Sequence, residues 1–359
     1  MNKNKIAKRI MAIRRKLHGT KADCLIVTEP ANVTYTTGFM GEDSWAVITK
    51  RAVYLLTDSR YTEQAQNECP SCRIVARPAA MTDAVGNLLK KLKSVHVVAV
   101  EESTSVAAFT RLKKTLKMRL RAVSGTVEAG RSTKDSSEIA AIRAAGSIAA
   151  QALKRTLRRL KPGTSENELA GMINLEIRRL GAVNSFDIIV AFGPNASRPH
   201  HQPSERRLKQ KDTVLIDFGA RYKGYCSDIT RCFAIGRPST LYEKARKVVQ
   251  QAQAAAIAAV RAGIGADSVD AAAREMIRKN DLPVYGHGTG HGLGLEIHEQ
   301  PFLKAENHEK LKAGQVITIE PGIYIPGKLG VRQEDDILVT ETGCEILTGK
   351  GPLLRLPGG

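Results

Sequence analysis

The stretch Pro283-Val-Tyr-Gly-His287-Gly-Thr-Gly-His291-Gly-Leu-Gly-Leu-Glu-Ile-His298-Glu299 holds three of the eight histidines in the chain. Five glycines lie between Gly286 and Gly294, and each would weaken a helix by about 1 kcal/mol relative to alanine. The segment therefore reads as a loop or strand edge in which an imidazole can be approached closely. No Gly-x-Gly-x-x-Gly spacing occurs and no Lys-Ser/Thr follows, so it is not a phosphate loop. His287 and His291 are four apart but no Glu follows the first of them, which excludes the helical zinc-protease motif. Standing alone, the segment reads equally well as a glycine-rich turn with incidental histidines.

Four acids change that balance. Val214-Leu-Ile-Asp217 and Val316-Ile-Thr-Ile-Glu320 each place a carboxylate in an apolar strand pattern, as does Val331-Arg-Gln-Glu334-Asp-Asp-Ile-Leu-Val. Gly224-Tyr-Cys-Ser-Asp228-Ile-Thr-Arg reads as the hairpin partner of the first, with its turn at Tyr222 to Gly224. With Asp217 opposite Asp228 the loop has an even length, and cross-strand Cβ atoms stand about 5 Å apart on one face. Carboxylates held that close among apolar residues repel unless a cation lies between them. Each acid alone suits a salt bridge. Together with one imidazole they offer oxygen-rich ligation for two divalent ions, manganese first, with cobalt, iron or zinc as alternatives.

These residues must be carried by a substantial fold. A chain of 359 residues is long enough for two domains, and 42% hydrophobic with 25% charged residues is a globular composition. No apolar run approaches a membrane span, and the basic N-terminus lacks the apolar core of a secretory signal, so a cytoplasmic protein without membrane partners is expected. Six scattered cysteines do not make a disulfide framework, and Cys69-Pro-Ser-Cys72 reads as two ordinary thiols near a turn. The net charge of +19 raises nucleic-acid binding. The basic residues, however, are spread along helices with few aromatics between them, which reads as solvated faces.

Ile6, Ile10, Ile13 and Leu17 at helical spacing, stopped by Gly19, predict an opening helix. Short apolar runs at Cys24 to Thr28, Ala46 to Thr49, Val53 to Thr57, Arg73 to Ala76 and Val95 to Val100 follow. Helical patterns at Thr82 to Leu92 and Val106 to Leu116 alternate with them, predicting an α/β domain with a mixed sheet over residues 1–127. Residues 128–135 read as a linker. A helix over Ser137 to Leu160, a second opened by the Ser165/Glu168 capping box, strand-rich sequence, and helices near Leu241 to Arg261 and Ala266 to Lys279 fill residues 136–359.

Ile-Asp217-Phe-Gly, Ser-Asp228-Ile-Thr-Arg, Gly-Thr-Gly-His291-Gly-Leu-Gly-Leu-Glu-Ile-His298-Glu, Ile-Glu320-Pro-Gly-Ile-Tyr and Val-Arg332-Gln-Glu334-Asp-Asp resemble the metallopeptidase family of methionine aminopeptidases, Xaa-Pro aminopeptidases and Xaa-Pro dipeptidases. Ile26-Val-Thr-Glu-Pro-Ala-Asn-Val-Thr-Tyr-Thr-Thr-Gly-Phe and Asp58-Ser-Arg-Tyr resemble the N-terminal domain of its proline-directed branch, so the likeness covers nearly the whole chain. It implies an α/β two-domain protein: a creatinase-type N-terminal domain, then a pita-bread α+β catalytic domain with a curved antiparallel sheet. Asp217 would hold one ion, His291 and Glu320 the other, and Asp228 and Glu334 both. Ions about 3.5 Å apart would activate a shared water, with Glu320 as general base and His200 and His298 stabilising the oxyanion. Arg332 would orient Asp228 or another bridging acid, and His287 would be a structural hydrogen-bond donor. Phe186 and Phe192 are candidates for the wall against the proline ring.

The implied activity is that of an Xaa-Pro aminopeptidase acting on proline-containing peptides as a homodimer, with an Xaa-Pro dipeptidase as alternative. A non-catalytic pita-bread binding protein with a basic surface is the rival of another class, and a creatinase-like hydrolase is disfavoured by the intact ligand set. Two positions depart from the family. His201 stands where glycine is usual, so that either His200 or His201 is available for the catalytic place, with Pro199 favouring His200. Gln333 replaces an apolar residue between Arg332 and Glu334.

Overall fold

The computed structural model describes residues 3–349, so the last ten positions of the expected catalytic domain lie outside the described residues. The chain divides into two compact units, Met1–Arg131 and Ser132–Gly359.

The first unit is built on a six-stranded sheet. Cys24–Val27, Trp45–Thr49 and Val53–Thr57 pair antiparallel, while Arg73–Ala76, Val97–Glu101 and Arg119–Val123 join in parallel, so the sheet is mixed. The opening helix, Lys3–Gly19, buries Ile6, Ile10, Ile13 and Leu17, the four apolar positions at helical spacing. Helices Met81–Lys90 and Val106–Leu116 put Val85, Leu88, Leu89, Leu112 and Leu116 into one core with strand residues Ile26, Val47, Leu56 and Val98.

The segment read as a linker is instead largely helical, Glu128–Ser132. Its polar residues are tied down: Asn32 donates to the Glu128 carboxylate at 2.6 Å, and Arg131, which is buried, donates to Asn32 Oδ1 at 2.7 Å. A polar composition suits a linker, but here it makes a partly buried hydrogen-bond network.

In the second unit, Ser136–Leu157 begins on an Asp135/Glu138 capping box and Glu166–Arg179 on the Ser165/Glu168 box. Both boxes satisfy amide donors that would otherwise be orphaned at the helix start. These two helices share a core with Val190, Val214, Ile216, Phe218 and Ile229. Helices Thr240–Ala259 and Ala266–Arg278 cover a second core containing Ile317, Ile319, Ile323, Val331 and Ile337. Every strand pairing in this unit is antiparallel among the described residues, and the strands fall into sheets of three, three, five and two.

Candidate active site

The two aspartates enter on one hairpin. Strands Thr213–Phe218 and Ile229–Ala234 pair with Asp217 opposite Thr230, and the ladder continues to Tyr222 opposite Tyr225. The loop is therefore Lys223-Gly224, with φ of 50° and 85°, as a two-residue hairpin turn of the primed type requires. This corrects the expected register by two residues. Asp228 is the diagonal neighbour of Asp217, and the period of two still puts both carboxylates on one face.

His291 lies in the three-residue strand Gly290–Gly292, between Glu299–Leu303 and Val316–Ile319 in the five-stranded sheet. A Cβ at Gly290 would meet the carbonyl of Thr318, and one at Gly292 that of Gln300; only glycine lets this strand lie so close to its neighbours. The His291 Nδ1–H donates to the Gly292 carbonyl at 3.0 Å, which leaves Nε2 with a free lone pair. That atom stands 3.7 Å from Asp228 Oδ2 and 3.7 Å from Glu320 Oε1, too far for a hydrogen bond.

Glu320 follows Val316–Ile319 directly, and Glu334 sits between Leu329–Arg332 and Asp335–Val339. Thr230 donates to Glu334 Oε2 at 2.6 Å. One ligand atom each of Asp228, His291 and Glu334 lies within 4.8 Å of the others. Asp217 Oδ1 and Asp228 Oδ1 are buried without a hydrogen-bond partner. Burial, reinforced by the repulsion of neighbouring carboxylates, pushes Asp228 and Glu334 well above the usual range. Glu320 is pushed up to about 8 by burial, with Arg332 opposing and Asp217 adding to the rise. Burial brings His291 down to about 4, so its ring is neutral at pH 7. Unpartnered buried oxygens, acids that resist ionising together and a neutral imidazole with a free lone pair form a donor set that fits divalent cations.

Arg332 is buried beside this set. It donates to Asp217 Oδ2 at 2.5 Å, to the Tyr324 hydroxyl at 2.7 Å and to Thr230 Oγ1 at 3.0 Å. The expectation that Arg332 orients Asp228 or another bridging acid is corrected: it holds Asp217, the acid expected to serve one ion alone. Asp228 is held through its main chain, whose N–H donates to the buried Asp336 carboxylate at 3.2 Å. His287 donates from Nδ1 to the Gly288 carbonyl at 2.7 Å and accepts at Nε2 from the Tyr324 hydroxyl, 3.1 Å away. Its ring stacks on Tyr285 with centroids 4.7 Å apart.

A cleft of about 440 Å³ opens onto these groups, walled by Phe186, Ile189, Pro199, Ile297 and Phe302. His200 and His298 also line it, and the His298 ring stands edge-on to His291 at 4.5 Å. His201 does not line the cleft: it is buried, with Nε2 2.9 Å from Glu166 Oε2. Glu166 also accepts from Phe192 N, Asn195 Nδ2, and the amide and hydroxyl of Ser204. It thereby braces the loop that presents His200. Phe192, a candidate for the substrate pocket, is fully buried in the core, because strand alternation turns it towards the helices; of the two candidates only Phe186 reaches the cleft.

Residues 140–341 match metallopeptidase family M24, and residues 9–133 match the creatinase/prolidase N-terminal domain. The chain belongs to family M24. A peptidase of Bacillus subtilis is 37% identical over 329 residues, covering 91% of this chain and 93% of that one. The Xaa-Pro dipeptidase from Bacillus anthracis superposes with a TM-score of 0.92 at 36% identity, covering 96% and 98% of the two chains. The X-Pro aminopeptidase from Thermotoga maritima gives 0.87 at 34% identity, covering 94% and 97%. The two-domain pita-bread architecture and the metallopeptidase class expected from the sequence are borne out.

Several residues of this M24 site escaped the sequence reading. Asp336 lies within the quoted Glu-Asp-Asp run, but the three acids part company: Glu334 faces the cleft, Asp335 pairs with Arg231 at 2.6 Å, and Asp336 takes the Asp228 amide. Thr230 and Tyr324 are hydroxyls in ordinary strand positions, and Glu166 opens a helix. Only the acidic run carried a signal that could have pointed to any of them. Among the described residues, no helix is long and apolar enough to cross a membrane.

Proposed function

We propose that this M24 enzyme is an Xaa-Pro dipeptidase. The observation that carries the hydrolytic reading is the convergence of Asp228, His291 and Glu334, with Asp217 and Glu320 beside them, at the end of one cleft. Asp217 would serve one divalent ion, His291 and Glu320 a second, and Asp228 and Glu334 both. Manganese suits a set with four carboxylates and a single imidazole. When bound, such ions supply Lewis acidity and a water that is nucleophilic at neutral pH.

The remaining work falls to the protein's own side chains. Glu320, half-buried at the cleft, would take the proton of the attacking water and pass it to the departing nitrogen. His200 and His298 would donate to the carbonyl oxygen as charge develops on it. Arg332 would hold Asp217 in place. An Xaa-Pro bond has no N–H to anchor it in the manner of ordinary peptides, so its ring must be placed by shape. The apolar wall of Phe186, Ile189 and Phe302 supplies that shape.

The likeness to an Xaa-Pro dipeptidase supports the dipeptide reading, and the likeness to an X-Pro aminopeptidase keeps the longer-peptide reading as the alternative. Purified protein with Mn(II), with and without chelator, should be assayed on Ala-Pro and Ala-Pro-Ala. Metal-dependent cleavage of Ala-Pro alone is the expected result; turnover of Ala-Pro-Ala at a comparable rate would favour the aminopeptidase. Glu320→Gln should abolish turnover with the far-UV spectrum unchanged, and undiminished turnover would remove Glu320 from this role.

A further inference from the structure

The net charge of +19 is unevenly distributed along the chain. Residues 1–131 hold 23 of the 55 Lys and Arg but only 11 of the 36 Asp and Glu, so just over a third of the residues carry +12 of that charge. The fold of this unit then gathers its cations. In the six-stranded sheet, Val53–Thr57, Trp45–Thr49, Cys24–Val27, Val97–Glu101 and Arg119–Val123 lie side by side in that order. Cys24 is level with Thr49 and Val98, Ile48 with Val53, and Val97 with Arg119, which puts the starts of four strands and one tight turn at the same end. Helices Lys3–Gly19, Met81–Lys90 and Val106–Leu116 each lead into one of those starts, so their C-termini converge there too.

At this end the segments 14–23, 50–52, 90–97 and 113–121 supply fourteen Lys and Arg and one acid, Asp23. Twelve of the fourteen are exposed; Arg14 and Arg121 donate instead to the Thr49 and Thr20 carbonyls, at 2.8 and 2.7 Å. Among the described residues the single ion pair in these segments joins Lys50 to Asp23 at 3.0 Å. Arg14, Arg15, His18 and Lys50 also line a hollow of about 530 Å³. Two of the lysines are kept against backbone preference: Lys21 and Lys117 have φ of 55° and 49°, where glycine or asparagine sits more easily. Cations in the last turn complement a helix C-terminus, but that accounts for neither of these two positions nor for the turn at Lys50 and Arg51. A same-sign field of this extent is the electrostatic footprint of a polyanion site.

Dimensions and chemistry select the polyanion. From Val53–Thr57 to Arg119–Val123 the sheet is about 19 Å wide at ~4.8 Å per strand, a length over which a double helix presents about eleven phosphate charges. The four segments contain no Phe, Tyr or Trp to stack on unpaired bases. Their apolar residues are buried or half-buried, which leaves nothing to insert into a lipid interface. We propose that this basic end of the first unit binds double-helical nucleic acid through its phosphate backbone, without reading sequence and with residues none of which line the peptidase cleft. The solvated faces read from the sequence are here one surface.

Fluorescence anisotropy of a labelled duplex of about twenty base pairs, titrated with the full-length protein, tests this. With the six lysines at the ends of the two crossover helices on phosphates, wild type should show a log–log salt slope of about −5 and lose roughly a thousandfold in affinity between 50 and 200 mM salt. Lys90→Gln/Lys91→Gln/Lys93→Gln and Lys113→Gln/Lys114→Gln/Lys117→Gln should each flatten that slope by about 3 and weaken binding about tenfold or more. All six side chains are exposed, so these variants keep the fold. Arg237→Gln/Lys244→Gln/Lys247→Gln removes the same charge from exposed positions of the second unit and should leave slope and affinity as in wild type. A control variant that weakens binding as much as the other two reduces the effect to net charge and overturns the proposal. So does a wild type that ignores the duplex at low salt, or one that binds phosphatidylserine-containing vesicles and not the duplex, which would give this surface to a membrane.

Discussion

Replacing Asp228 by asparagine should make the metal-free protein more stable and at the same time remove its response to metal. Asp228 is buried, one of its oxygens has no partner, and Glu334, Asp217, Asp336 and Glu320 all add repulsion to the cost of burial. Because its folded-state pKa is raised, the folded protein holds a proton that the unfolded chain gives up. Stability is therefore complete below about pH 4 and is lost as the pH rises. Asparagine keeps the shape and cannot ionise, so it escapes that loss. The Asp228 amide, which donates to Asp336, is untouched. Asparagine still buries polar atoms, so the gain is that of removing the opposed charge alone, about 1–3 kcal/mol at pH 8 and close to zero at pH 4. For a unit of this length that is a rise of several degrees in Tm. With an ion at a hundred times its Kd, wild type gains about 2.7 kcal/mol and the variant much less, which closes or inverts the difference. Chelator-treated proteins melted at pH 4 and pH 8, with and without Mn(II), measure all four quantities. A variant less stable than wild type at pH 8 in chelator, or one stabilised equally by Mn(II), would refute the idea that these acids are held together for a cation.

Two further outcomes follow from local packing. Gly290→Ala should drive a methyl group into the Thr318 carbonyl, displace the strand that carries His291, cost about 1–3 kcal/mol and lower Mn(II) uptake in equilibrium dialysis; unchanged uptake would count against the tight strand as the reason for the glycine. Lys134 and Glu299 form a buried ion pair at 3.0 Å, and Glu299 also accepts the Glu296 amide just before His298. Lys134→Met should cost about 3–5 kcal/mol in urea unfolding by leaving that charge buried, and Lys134→Met with Glu299→Leu should recover most of it; a double variant as unstable as the single one would rule out the stranded charge as the cause.

The residues legible in the sequence were those that could not be left where local pattern put them. Asp217, Glu320 and Glu334 interrupt or end apolar strands, and a carboxylate in such a place needs a partner whatever the fold. The Ser165/Glu168 box and the spacing of Ile6, Ile10, Ile13 and Leu17 were legible for a related reason, since the interactions they encode lie within one turn or one helix face. What failed was everything that depended on register. Asp217 is diagonal to Asp228 because the turn uses Lys223-Gly224, and the loop lengths weighed from the sequence were all even, so parity alone could not choose among them. Phe186 and Phe192 are equivalent as apolar residues near a strand, and only the pairing of Ile189–Phe192 with Thr213–Phe218 sends the second into the core. Arg332 was expected to serve Asp228 or another bridging acid and serves Asp217, because its guanidinium crosses to the middle of the aspartate hairpin, where it also meets Thr230. Chemistry, in this chain, is written in residue types that are costly to bury alone. The pairing that makes each of them bearable is set by backbone register between segments more than a hundred residues apart, as Arg332 with Asp217 and Asp336 with Asp228 both illustrate.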